Sequence, residues 1–206
     1  FDNIVKVINN NANSEYRGFG IHSFLYVIDD FLKGDYMPKN VFDFLCNVVL
    51  NVKESKIKAE DVKEKDIYNT AINQARGHAA YMLVECYRFK EYQDKIFDTL
   101  ENIASTASVY TRSAILLNMA LLNHLDQQRN VLLFKMLLHD YDERLLAMPI
   151  HNYNPLVYFV NYAVDDILDV FVHAIDKPWC YKEQVIILWL AWVHNNYRND
   201  IKVLLD

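Results

Sequence analysis

Along this chain apolar residues recur every three or four positions, and no run sustains the alternation of two that marks a half-buried strand. The pattern predicts about nine helices and no strand. In "GIHSFLYVIDDFLKG" (20–34), Ile21, Phe24, Leu25, Ile28, Phe31 and Leu32 share one helical face, and Gly34 marks the stop. Pro38 then opens "PKNVFDFLCNVVLNV", as proline does in a first turn. Next comes "KESKIKAEDVKEKD" (53–66), whose lysines and acids nearly cancel; it reads as a solvated connection. A long helix is predicted from near Asp66, with Ile67, Ala71, Ala75, His78, Ala79, Met82, Leu83 and Cys86 on its apolar side. Further helices are expected at 92–104, 109–125 and 128–146. Pro149 and Pro155 bracket "IHNYN", after which helices are expected over 156–175 and from Pro178 to Asn196. Short connections predict antiparallel hairpins.

Gly77 is anomalous in this frame. A glycine inside a helix costs roughly 1 kcal/mol relative to alanine, in a chain that has only 4 glycines. That cost is reasonable where another helix crosses close to the backbone, and Ala71, Ala75, Ala79 and Ala80 point the same way. Arg76 would flank the close approach, its guanidinium forking to a carboxylate or to carbonyls at a helix end. Asp66, Asp140 and Asp142 are the candidate carboxylates. A weak repeat strengthens the picture: "RGHAAYML" begins at Arg76, and "RSAILLNM" begins 36 residues later at Arg112. That period lies in the range of helix-pair solenoids.

Composition narrows the class. With 206 residues, 52% hydrophobic, and 4 glycines and 4 prolines, the chain is neither disordered nor turn-rich. It is read as one helical domain over 1–206, with a sub-boundary near 53–66. The first residue is Phe1, so the chain reads as a piece of something longer. A net charge of −6 disfavours binding to a phosphate backbone. "VIILWLAWV" (185–193) is too short to span a bilayer and reads as a buried helix. Cys46, Cys86 and Cys180 are scattered through apolar stretches, which suits buried thiols in a reducing, cytoplasmic setting.

The search for chemistry is largely negative. No phosphate loop is present, and "GFG" (18–20) reads as a turn between helices. His78 and Cys86 could share a helix face, but two ligands do not make a zinc site. His139, Asp140 and Asp142 are the densest ligand set, where one carboxylate is expected to cap or pair. No nucleophile–base pair can be inferred. The last third is aromatic: Tyr153, Tyr158, Phe159, Tyr162, Trp179, Tyr181, Trp189, Trp192 and Tyr197. Most should be core, and any exposed on a groove would be interface anchors. His151 and Tyr153 lie in the loop between prolines, where function collects. The expected partner contacts are Arg76, His151, Tyr153 and Tyr158; no catalytic, cofactor or metal residue is expected.

From about Asn69 to Ile175 the chain resembles the C-terminal helical region of large bacterial STAND-type (NACHT-like) NTPases, several of which are antiphage defence proteins. The ordered segments "AINQARGHAAYML", "FDTLENIA", "YTRSAILLNMALLNHL", "RNVLLFKMLLHDYDERLL" and "PIHNYNPLVYFV" carry the resemblance. In that family the helical repeats act as sensor arrays, while an upstream P-loop domain binds nucleotide. The resemblance implies an all-α stack of HEAT- or TPR-like hairpins that binds a protein and regulates a larger NTPase without catalysing anything itself. The alternatives are a HEAT-like nucleic-acid-binding domain and a purely structural helical spacer.

Overall fold

Every regular element among the described residues is helical. The structure, a computed structural model, describes residues 3, 6, 17–54, 67–146, 159–174 and 182–205. The chain divides into two compact units, Phe1–Ile115 and Leu116–Asp206. The division falls inside a helix, and residues 55–66 lie outside the described residues. No helix among the described residues is long and apolar enough to cross a membrane.

The first unit contains α1 (Arg17–Lys33), α2 (Lys39–Asn51), α3 (Ile67–Ile72), α4 (Ala75–Glu85), α5 (Gln93–Ala104) and most of α6 (Val109–Asn118). Short 3-10 turns at Cys86–Arg88 and Lys90–Tyr92 join α4 to α5. On α1, the apolar face buries Ile21, Phe24, Leu25, Ile28 and Leu32. Pro38 stands at the N-cap of α2, where its missing N–H costs nothing. That helix buries Val41, Phe42, Phe44, Leu45, Cys46, Val48 and Val49. Both α1 and α2 pack against α4, which is buried on most sides through Ala75, Gly77, Ala79, Ala80, Met82, Leu83 and Val84. Small residues suit a helix crowded in this way. "GFG" is not a turn: Gly18, Phe19 and Gly20 belong to the first turn of α1, where no glycine takes a positive φ.

The helix predicted from near Asp66 is broken. It stops at Ile72, passes through Asn73 and an extended Gln74 (φ −106°, ψ 139°), and restarts at Ala75. The fold-back explains Gly77. A Cβ placed there would lie 2.3 Å from the carbonyl oxygen and 2.9 Å from the carbonyl carbon of Ala71. The close neighbour is therefore the end of the preceding short helix, so the glycine serves a kink.

In the second unit, α6 ends at Asn118 and the chain tightens into a 3-10 segment, Met119–His124. The helices α7 (Gln127–Leu137), α8 (Glu143–Leu146), α9 (Val164–Ala174), α10 (Lys182–His194) and α11 (Asn199–Leu205) follow. Asp126 caps α7 by accepting the Arg129 N–H at 2.9 Å. The helix expected over 128–146 is cut by Tyr141, whose φ of 48° is left-handed. Asp142 then accepts the backbone N–H of Arg144 and pairs with its guanidinium at 2.6 Å. Phe134 and Phe159 meet edge to face in this unit's core, with ring centres 5.1 Å apart. Within the helix expected over 156–175, Phe159 is helical, turns follow at 160–162, and α9 runs from Val164; residues 156–158 and 175 lie outside the described residues.

Gly77→Ala gains helix propensity and loses room. It should lower stability by about 2 kcal/mol or more, because rigid backbone must move, where propensity alone would favour alanine by roughly 1 kcal/mol. The urea midpoint of the variant measures the sign directly.

Candidate functional site

Arg76, the one described residue among the expected contacts, is tied into the first unit. Its Nε–H donates to the Val49 carbonyl at the end of α2, at 2.8 Å, and Nη1 lies 3.5 Å from Glu54 Oε1. The fork to a helix-end carbonyl and a carboxylate is thus present, but the carboxylate is Glu54. The same Glu54 oxygen accepts the Thr111 hydroxyl and, at 3.4 Å, the Ser108 backbone N–H. Both side chains of the Arg76–Glu54 pair are only 15% exposed. The two ends of the weak repeat, near Arg76 and near Arg112, therefore converge on one anion at the N-terminus of α6, where an anion is favoured. Balanced charge made 53–66 look solvated, and Glu54 does not follow that reading.

A second cluster joins α1 to α4. His22, Tyr26 and His78 are mutually packed, with ring centres 5.1–5.2 Å apart. His22 Nε2 lies 2.9 Å from the Ile72 carbonyl, which can only accept, so that nitrogen carries a hydrogen. The buried Nδ1 of His78 has no hydrogen-bond partner among the described residues. Burial, and then the neighbouring His22, push His78 down from 6.5 to about 4, with Asp29 opposing weakly. Cys46 and Cys86 are buried thiols, and burial raises both. No group of three metal-ligating side chains occurs among the described residues.

Among the described residues, the second unit carries a depression of about 390 Å³. It is lined by the apolar Ala120 and Leu121, by buried Asn118, and by Asn123, His124, Gln127, Asn161 and Tyr162, of which His124, Gln127, Asn161 and Tyr162 are exposed at its rim. Tyr162 also lines an adjoining depression of about 310 Å³ with Val131, Leu132, Lys135 and Asp166. The local fold builds the rim. Asn130, fully buried, donates to the Met119 carbonyl at 2.8 Å and to Asn123 Oδ1 at 2.7 Å. This satisfies a carbonyl at the start of the 3-10 segment and holds Asn123 toward the groove. Tyr162 donates its hydroxyl to the same Asn123 oxygen. Burial pushes the Tyr162 phenol up, against the effect of the Asn123 hydrogen bond, so it remains a donor. The side chains of Gln127 and Asn161 engage no group among the described residues. Lys135 and Asp166 neutralise each other at 2.7 Å.

Of the aromatic residues in the last third, Phe159 is core. Tyr162, Trp189 and Tyr197 are exposed at 38%, 52% and 60%. His151, Tyr153 and Tyr158 lie outside the described residues. Sequence reasoning did not single out the rim amides; "NMALLNH" placed Asn118 and Asn123 in what read as ordinary helix. No protein-family model, curated protein or solved structure matches the chain.

Two outcomes follow from these clusters. Arg76→Ala leaves Glu54 and the Val49 carbonyl without their cation, and should cost about 2 kcal/mol in denaturant unfolding, as for other hydrogen bonds to charged groups. For His78, the unfolded chain takes up a proton near 6.5 and the folded chain near 4. The stability held by the neutral ring is therefore complete above the first value and drains away as pH falls toward the second. The slope approaches about 1.4 kcal/mol per pH unit. A titration of the His78 ring protons by NMR checks it, and a midpoint near the ordinary histidine value would refute it.

Proposed function

We propose that the chain is a non-catalytic helical module whose second unit binds a protein partner at the Tyr162 groove. One observation carries the reading: a concavity lined by Ala120 and Leu121 together with an exposed tyrosine and uncharged amides. Aromatic anchors with fixed polar neighbours dominate protein interfaces, and pockets of this size suit peptide side chains. The resemblance of residues 69–175 supports a place for the module in the sensor region of a larger STAND-type NTPase, with its hairpins stacked in the HEAT or TPR manner. Phage defence is the setting that resemblance implies. A partner that binds one state of the parent better than the other would shift it between resting and assembled forms.

Nucleic-acid binding has less support. Lys33, Lys39, Lys95, Arg76, Lys135, Arg144 and Arg198 each pair with a carboxylate, so these cations present no bare basic face.

The test is capture by the immobilised chain from phage-infected and uninfected bacterial lysates, read by mass spectrometry, with Tyr162→Ala alongside. A protein partner should be held at high salt and after nuclease treatment. Its retention should fall about ten-fold or more in the variant. Salt-labile nucleic acid in the eluate, or capture indifferent to Tyr162, would overturn the reading.

A further inference from the structure

We propose that the Tyr162 groove takes an extended, uncharged peptide segment, pairing side-chain amides with its main chain and seating one aliphatic side chain on Leu132. This rests on the protein-binding reading and names its chemistry.

A primary amide offers donor and acceptor in one plane, the complement of the N–H and C=O that each peptide unit presents. Gln127 and Asn161 keep both functions available at the rim. Asn123 is different. Asn130 must turn its NH2 toward the Met119 carbonyl, and the same NH2 faces Asn123. Asn123 therefore points its oxygen inward, where Asn130 and Tyr162 use both lone pairs, and only its NH2 remains to donate. The rim is thus a fixed donor beside two adaptable amides, which suits a backbone whose groups alternate.

Charge decides the ligand class. Among the described residues lining the two depressions, the basic side chains are Lys135, which Asp166 already neutralises, and the imidazole of His124. A phosphate or a carboxylate would find no unpaired lysine or arginine among these described residues, in a chain of net charge −6. Leu132 is 58% exposed beside Val131 in the adjoining depression, apolar surface that an aliphatic side chain would cover.

The experiment uses the ¹⁵N-labelled full chain and two synthetic probes. One is N-acetyl-Ser-Leu-Ala-Leu-Ser-amide; the other is the same peptide N-methylated at its central amides. The first should shift the side-chain NH2 signals of Asn123, Gln127 and Asn161. The methylated probe should bind about five-fold more weakly for each main-chain hydrogen bond lost. Gln127→Leu with Asn161→Leu, both exposed positions, should weaken the first probe and leave the circular dichroism spectrum unchanged. Equal affinity for the two probes, no shift at those amides, or the same shifts with adenosine or maltose would overturn the proposal. If lysate capture still depends on Tyr162 in that event, the main-chain mode fails alone; if that dependence is lost too, the protein-binding reading fails with it.

Discussion

The last turn of every helix leaves carbonyls without partners, and this chain has few glycines with which to close them. None of the described glycines adopts the left-handed conformation that ends so many helices. The first unit meets the constraint with long side chains from elsewhere in the fold. Arg88 donates to the Leu32 carbonyl at the end of α1, at 2.7 Å; Arg76 donates to Val49 on α2; His22 donates to Ile72 on α3. Tyr92 holds the Met37 carbonyl, in the connection before α2, at 3.0 Å. Two of these groups are guanidinium cations facing the negative end of a helix dipole, so capping and electrostatics reinforce one another. The glycine shortage and the placement of these residues are two sides of one solution.

The second unit solves a similar problem with amides. Asn130 takes the Met119 carbonyl, and Asn195 takes the Val160 carbonyl at 3.0 Å. Asn130 reaches the Met119 carbonyl at the start of the 3-10 turn, and the turn in turn presents Asn123 and His124 to the groove. Structure and recognition share the same hydrogen bonds there. A change at buried Asn130 would disturb the rim without touching it.

Helical class and core faces were legible because burial imposes the helical period directly: Leu25, Ile28, Ala71 and Leu83 are all fully enclosed, and all sit where the spacing places them. Breaks were not legible, because their causes are distant in sequence or too small to mark. The kink at Gln74 needs the end of α3 to fold onto Gly77, and the tightening at Met119 comes with Asn130 on the next helix. Gly77 did signal close approach; only the identity of the neighbour was hidden. Arg76 likewise revealed the kind of partner it needed, while Glu54 was masked by the evenly mixed charges around it. Tyr162 stood out as one aromatic among many. Its amide neighbours did not, since asparagine in a helix usually faces water.

The capping side chains have a kinetic meaning as well. Helical proteins ordinarily fold fast because their contacts are local. Here Arg88, Tyr92 and His22 reach carbonyls 56, 55 and 50 positions away in sequence. Such bonds can close only after the helices have formed and docked. Interactions made that late leave the folding rate nearly unchanged and govern how slowly the native state opens. These few polar side chains therefore bear on how slowly the first unit opens more than on how fast it assembles.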